Sequence, residues 1–380
     1  MKKTFINGFI LLFVMMILSC NQDSIFYDLS IEPEPKDPLI PGTPTNMILV
    51  KNQLFVGTRM SSKIFRYSNV SGNPQWSNLS LPQGSLGDLA TDGNYLYVLY
   101  FPQGEPLRSS SIKRFDPATG IWDLEFTAPS YSIQSIFGAG GIIFAGGQFL
   151  SNYRSFAVFS LDVASSSMTN IKYGTALLTG AARDSGGTIY LATAGSGIFE
   201  LTSGNTEAVT VSGTAGIIFS GMIETGGAIV AVSNSGSIFT GTSGTFTSFS
   251  TGSNYTGALS IWRDRTSQNR SSLLLMGVRG RGTTDKHGYQ EMVLDNGRPS
   301  SKIKLPGDEN PTSVTNKAKY DASLGVHPVE TILQVPDSSL GGPIDYNRFS
   351  GDPLWEPPIF AGTPKSGLWS YRNGEWNAED

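Results

Sequence analysis

Few residues in this chain have the type and spacing to do chemistry. The 380 residues include two histidines, His287 and His327, and one cysteine, Cys20. Neither histidine sits in a metal-ligand spacing, and no other thiol is present to complete a site. Each reads as a polar loop residue. No Gly-x-Ser-x-Gly nucleophile elbow occurs. The run Val278–Gly282 (Val-Arg-Gly-Arg-Gly) begins like a phosphate loop. It lacks the third glycine in register, and no helix pattern follows it, so it reads as a plain loop. Asp184–Thr188 (Asp-Ser-Gly-Gly-Thr) lacks the Asp-box pattern and reads as a hairpin turn. No EF-hand-like calcium loop is found. The sequence therefore yields no catalytic residue, no metal ligand and no cofactor motif.

Cys20 is different, because its position carries the meaning. Lys2 and Lys3 precede an unbroken apolar run from Phe9 to Leu18. That run is short for a bilayer span and fits the apolar region of a signal peptide. It ends Ile17-Leu18-Ser19-Cys20, which resembles a lipobox, where the cysteine is acylated and becomes the first mature residue. Two or three acyl chains bury many methylenes at about 0.8 kcal/mol each, enough for stable anchoring. Asn21, rather than Asp, resembles an outer-membrane address. From there to Pro44 the chain carries Pro33, Pro35, Pro38 and Pro41 among Glu32, Glu34 and Asp37, the composition of an extended tether. The expected organisation is a lipoprotein signal peptide over 1–19, lipidated Cys20 and a Pro-rich tether over 20–44, and a folded domain over 45–380. The expected location is the cell envelope, at the outer membrane or periplasmic face.

The elements behind any site come from a repeat. Seven apolar runs recur: Leu54–Thr58, Tyr95–Val98, Ile142–Gly146, Ile189–Thr193, Ile229–Val232, Leu273–Gly277 and Ile359–Thr363. Five of them follow a turn-forming cluster such as Asp92-Gly93-Asn94, Gly138–Gly141 or Ser185–Gly187. A further strand follows each run, from Ile64–Tyr67 and Ile112–Phe115 through to Gly367–Ser370. An outer, mixed strand follows that, from Trp76–Leu79 and Trp122–Glu125 through Ala208–Val211 and Lys302–Leu305 to Glu375–Ala378. Four short strands in a meander, repeated around a ring, form an all-β propeller. Phe55, Tyr97, Phe144, Tyr190, Val230, Leu275 and Phe360 should then occupy equivalent buried positions.

Successive second strands begin 41, 47, 47, 40, 44 and 86 residues apart. The last interval leaves room for an eighth blade as the alternative. Seven blades are preferred, with insertions at 306–328 and 336–357, where alternation is lost and Pro336, Pro343, Pro353 and Pro357 cluster. The first blade reads as complete from Asn46, so closure should rest on blade packing. Phe26–Leu29 is the one segment that could instead add to an edge.

Binding is the remaining chemistry. Loops between second and third strands share a face with the crossings between blades. The long ones on that face are 101–110, with Phe101 and Arg108; 147–155, with Phe149, Tyr153 and Arg154; and 279–288, with Arg279, Arg281, Lys286 and His287. The crossing 306–328 adds Lys317, Lys319 and Tyr320. Between 254 and 320 there are eleven Lys or Arg against six Asp or Glu, in a chain of net charge −4. That local excess suits an anionic glycan, a lipid headgroup or an acidic protein. Nothing in the overall balance calls for nucleic acid.

The lipobox, the tether, the repeats and the ending Ile359–Arg372 with Glu375–Ala378 together resemble uncharacterised envelope lipoproteins of spirochaetes. The resemblance spans essentially the whole chain. It implies a propeller and an envelope address and brings no activity. Two functions stay open from the sequence. One is a membrane-anchored, non-enzymatic scaffold for protein interaction; the other is a propeller that binds or cleaves glycans in its axial pocket. Cleavage needs two carboxylates about 5–10 Å apart.

Overall fold

The seven expected second-strand residues all lose their solvent contact. Phe55, Tyr97, Phe144, Tyr190, Val230, Leu275 and Phe360 are each 0% exposed. The computed structural model describes residues 40, 42–51, 53–58, 63–70, 73–81, 84–102, 110–201, 207–263, 272–279, 288–295, 297–304, 328–335, 359–364, 367–372 and 375–379. Among these residues there is no helix. Their strands form seven four-stranded antiparallel sheets, each hydrogen-bonded in chain order. These are the blades, numbered 1 to 7 along the chain. All seven lie in one compact unit, Leu39–Glu379.

The innermost strands are Pro44–Val50, Gly84–Thr91, Tyr131–Ala139, Leu178–Arg183, Phe219–Glu224, Tyr255–Arg263 and Thr331–Gln334. The second strands are Gln53–Thr58, Leu96–Pro102, Ile142–Phe149, Ile189–Thr193, Ile229–Ser233, Ser272–Val278 and Ile359–Thr363. Second strands read as continuous apolar runs because both of their faces are covered, as Leu96–Tyr100 and Ile229–Ser233 show. Outer strands such as Ile121–Thr127 and Thr245–Ser250 stay largely exposed or half-buried.

Successive side chains of a strand point to opposite faces, so one second strand feeds two interfaces. In blade 1, Phe55 packs with Leu86, Leu96 and Phe115 of blade 2. Its neighbours Leu54 and Val56 pack the other way, with Val335, Phe360 and Leu368 of blade 7. The same split recurs in blade 2, where Tyr97 joins Ile143 and Ala145 of blade 3. Blades 3 and 4 share a layer around Phe144 and Leu191. Blades 4 and 5 meet at Tyr190 and Ile229. Blades 5 and 6 meet at Val230 and Leu274. Blades 6 and 7 meet at Leu275 and Ala361. Seven blades thus share seven apolar layers, one of them between the last blade and the first. An open arc would lack that layer.

This arrangement also settles the blade count. Blades 6 and 7 pack directly on each other, so the long interval between their second strands holds no eighth blade. The chain instead leaves blade 7 between Gln334 and Ile359, within its first hairpin, as the insertion reading expects. Residues 306–327 and 336–357 lie outside the described residues, as do Cys20 and Phe26–Leu29. Each sheet is complete from its own consecutive strands, so no described strand is exchanged between the termini.

Close to the axis, small residues let the inner strands touch. The Ser135 hydroxyl donates to the Leu178 carbonyl (2.7 Å), and the Thr256 hydroxyl to the Val329 carbonyl (2.6 Å). A Cβ on Gly180 would lie 2.8 Å from the Met222 nitrogen, and one on Gly221 would overlap the backbone of Gly257. Only glycine allows such an approach.

Three boundaries differ from the sequence reading. The outer strand of blade 6 is Arg298–Lys304, beginning earlier than Lys302 because a turn at Gly297 (φ 75°) reverses the chain directly after Asp295. The outer strand of blade 4 shrinks to Val209–Thr210. Ile40, expected in the tether, is 0% exposed and packs with Met47 and Phe360.

Candidate binding face

In each blade the turn from second to third strand and the crossing to the next blade lie on one face. Of the residues expected to bind there, Phe101, Phe149, Tyr153, Arg154 and Arg279 are described. Arg108, Arg281, His287, Lys317 and Tyr320 lie outside the described residues. Phe101 and Phe149 belong to strands rather than loops, because the second strands of blades 2 and 3 run on to Pro102 and Phe149. Both are half-buried.

Over blade 3 the face is aromatic. Phe149 lies 5.1 Å, ring centre to ring centre, from Tyr131, which also meets Phe159 edge-on at 4.9 Å. Burial pushes the Tyr131 phenol up, and the nearby Tyr173 adds to the shift. Tyr173 is 68% exposed and Tyr153 45% exposed. A tight turn holds the loop beside them: Phe149 N–H donates to Ser155 O (2.9 Å), and Ser155 N–H to Asn152 O (2.9 Å). Arg154 is exposed on that turn and has no carboxylate partner among the described residues. The basic groups of blade 2 contrast with it: Arg114 pairs with Asp123 at 2.5 Å and Lys113 with Glu125 at 3.5 Å.

Between blades 5 and 6 the face opens into a cavity of about 280 Å³, lined by Asn234, Ser235, Asn254, Tyr255 and Arg279. Arg279 N–H donates to the Asn254 carbonyl (2.7 Å), which fixes the start of the loop against the crossing between blades.

The axis offers little for catalysis. Within the described inner strands the acids are Asp88 and Glu224. Glu224 accepts from the Gly226 and Gly227 N–H groups in the hairpin at the opposite face. Asp88 links three blades: it accepts from Asn46 of blade 1, from Leu89 N–H (2.9 Å), and from Ile136 N–H of blade 3 (3.0 Å). Burial pushes its carboxyl up to about 6, opposed by those donors; no second carboxylate contributes. Among the described residues no three His, Cys, Asp or Glu gather to hold a metal ion.

No family model matches the chain, and no curated protein matches it. Solved structures do. The WD40 β-propeller domain of Doa1 matches with a TM-score of 0.51 and 11% identity, over 88% of this chain and 94% of that one. PorZ of Porphyromonas gingivalis gives 0.52 and 13%, over 90% of this chain and 39% of PorZ. A chain of the mitotic checkpoint complex gives 0.53 and 10%, over 90% and 96%. The chain is a seven-bladed β-propeller. At these identities the likeness is one of fold, and fold leaves function to the site.

For this propeller, the residues on the loop face include Tyr153, Arg154 and Arg279, which the sequence names for it, and Tyr131, Tyr173, Asn234 and Asn254, which it does not. The latter four sit where a strand meets a turn. There an Asn reads as turn chemistry and a Tyr as strand propensity. Only the sheet register shows that they end on the same face.

Proposed function

We propose that this propeller is a lipid-anchored envelope scaffold whose loop face holds a protein partner. The observation that carries the reading is the exposure of Tyr153, Tyr173 and Arg154 together at the loop end of blade 3. Aromatic and Arg side chains dominate binding energy at protein interfaces. The rigid ring beneath them means little conformational entropy is lost on docking. Two fold neighbours agree with an assembly role: one belongs to a complex, and PorZ is described as an essential bacterial surface component of the type-IX secretion system. The glycan-cleaving alternative is not favoured, because the raised Asp88 owes nothing to a neighbouring acid.

Anchoring rests on the sequence alone, through acylation of Cys20 and the spirochaete-type lipoprotein pattern around it. The basic loops suit an acidic partner, with lipid headgroups and anionic glycans as competing outcomes. The test is cross-linking in cell envelopes with the full chain. Tyr153→Ala with Tyr173→Ala is expected to lose cross-linked protein. Val163→Ala, on a turn at the opposite face and 38% exposed, is expected to keep it. Loss only with Val163→Ala would place the working face on the other side.

A further inference from the structure

We propose that the cavity between blades 5 and 6 seats a single acidic side chain of the protein partner, with Arg279 as its charge partner. The inference rests on the loop face being the docking face and names what anchors there.

The walls of this cavity are polar, and Arg279 is the charged group among them. Asn234 and Ser235 sit on the turn between Ile229–Ser233 and Ser237–Thr242, and Asn254 immediately precedes Tyr255. Among the described residues the side-chain amides of Asn234 and Asn254 have no hydrogen-bond partner, and Arg279 has no carboxylate partner. Among the described residues no Asp or Glu lines the cavity. An arginine and two asparagines among the lining residues, with no acid beside them among the described residues, make the cavity complementary to a carboxylate, which accepts two parallel N–H bonds from arginine.

The site is preorganised. Ser237 N–H donates to the Ser233 hydroxyl (2.9 Å), and the Thr251 N–H to the Gly236 carbonyl (2.8 Å), so the turn cannot swing away. The Tyr255 hydroxyl lies between the Thr251 hydroxyl (2.6 Å) and the Gln290 side-chain oxygen (3.2 Å). The Gln290 amide in turn donates to the Ser253 hydroxyl. The floor is therefore locked before any ligand arrives.

The lining surface favours a side chain over a sugar. Tyr255 is 0% exposed, so its ring offers no open face for a pyranose to stack on.

The test uses the full chain and a fluorescein-labelled peptide, Gly-Glu-Gly-Glu-Gly, with its Gln counterpart, read by anisotropy. The Glu peptide is expected to bind and the Gln peptide to bind at least about tenfold more weakly, the loss typical of a charge-assisted pair. Arg279→Ala should weaken the Glu peptide by a similar factor. Arg279→Lys, which keeps the charge and loses the fork, should fall between and guards against a misfolded alanine variant. Arg183→Ala, exposed in the hairpin after Leu178–Arg183 at the opposite face, should leave peptide binding unchanged. Equal binding of Glu and Gln peptides, or Arg279 variants within twofold of the parent, overturns the proposal. So does displacement of the peptide by glucuronate at lower concentration than by N-acetylglutamate. If the peptide fails while cross-linking still depends on Tyr153 and Tyr173, the anchor is wrong and the scaffold reading stands. If the peptide binds through Arg279 but no loop-face variant affects cross-linking, the scaffold reading fails instead.

Discussion

Trp76 and Glu379, 303 residues apart, join the first and last blades: the indole N–H donates to the carboxylate at 3.2 Å. The other carboxylate oxygen accepts from the Ser370 hydroxyl, so Glu379 clasps the outer strand of blade 1 to the third strand of blade 7. A ring whose described strands are not exchanged between the termini depends on such contacts and on the apolar layer beneath them. Glu379→Ala is expected to cost about 1.5–3 kcal/mol, the scale of a hydrogen bond to a charged group. Hydrogen exchange should quicken first in blades 1 and 7; uniform change around the ring would contradict the clasp.

Below the clasp, Phe360 packs against Tyr67 (5.8 Å) and Trp76 (6.3 Å). Phe360→Ala should destabilise by about 3–5 kcal/mol in urea titration, through lost burial and the cavity left behind. Ile121→Ala, at a position 59% exposed, should change stability by less than about 0.5 kcal/mol. Similar costs at the two positions would mean that the layer between blades 7 and 1 does not hold the ring.

Gly257 has φ +100°, and a Cβ there would overlap the Ser220 carbonyl of blade 5. Gly257→Ala therefore meets both backbone strain and overpacking, for an expected loss of about 1–3 kcal/mol. Thermal unfolding reads this directly. Gly93→Ala has a positive φ (+97°) but nothing within 4 Å, so it should cost less and isolate the close approach.

Asp88 makes stability depend on pH. Its folded value, raised to about 6 by burial, exceeds the ordinary 3.8, so the folded state holds the proton longer. The stabilisation is fully present below about pH 4 and is lost as pH rises through about 6. The carboxylate is only half-buried by surface, so the loss is set at about 1–2 kcal/mol rather than the full value of the shift. Urea midpoints at pH 4.5 and 7.5 should differ more in the parent than in Asp88→Asn. An identical pH dependence in the two proteins would show that Asp88 is not the group responsible.

Cys20→Ala should leave an uncleaved precursor or release a soluble form. Mass spectrometry and membrane fractionation decide; an unchanged mass and membrane fraction would rule out acylation at Cys20.

The strand pattern was legible in the sequence because a second strand buried on both faces must be apolar throughout. Residues such as Leu96–Tyr100 and Ile229–Val232 therefore stand out without any structure. The blade count was legible in outline, since four strands recur after each run. Other features depended on partners distant in the chain. Ile40 lies among residues with tether composition, and its burial follows only from the meeting of blades 7 and 1. Phe101 and Phe149 read as loop residues because strand ends have no signal of their own; the register of the neighbouring strand extends them. Asn234, Asn254 and Arg279 are spread over 46 positions and belong to two blades. Local sequence determines which residues form strands and turns. Which turns end side by side is decided by the stagger and closure of the ring, and that is a property of the packed blades alone.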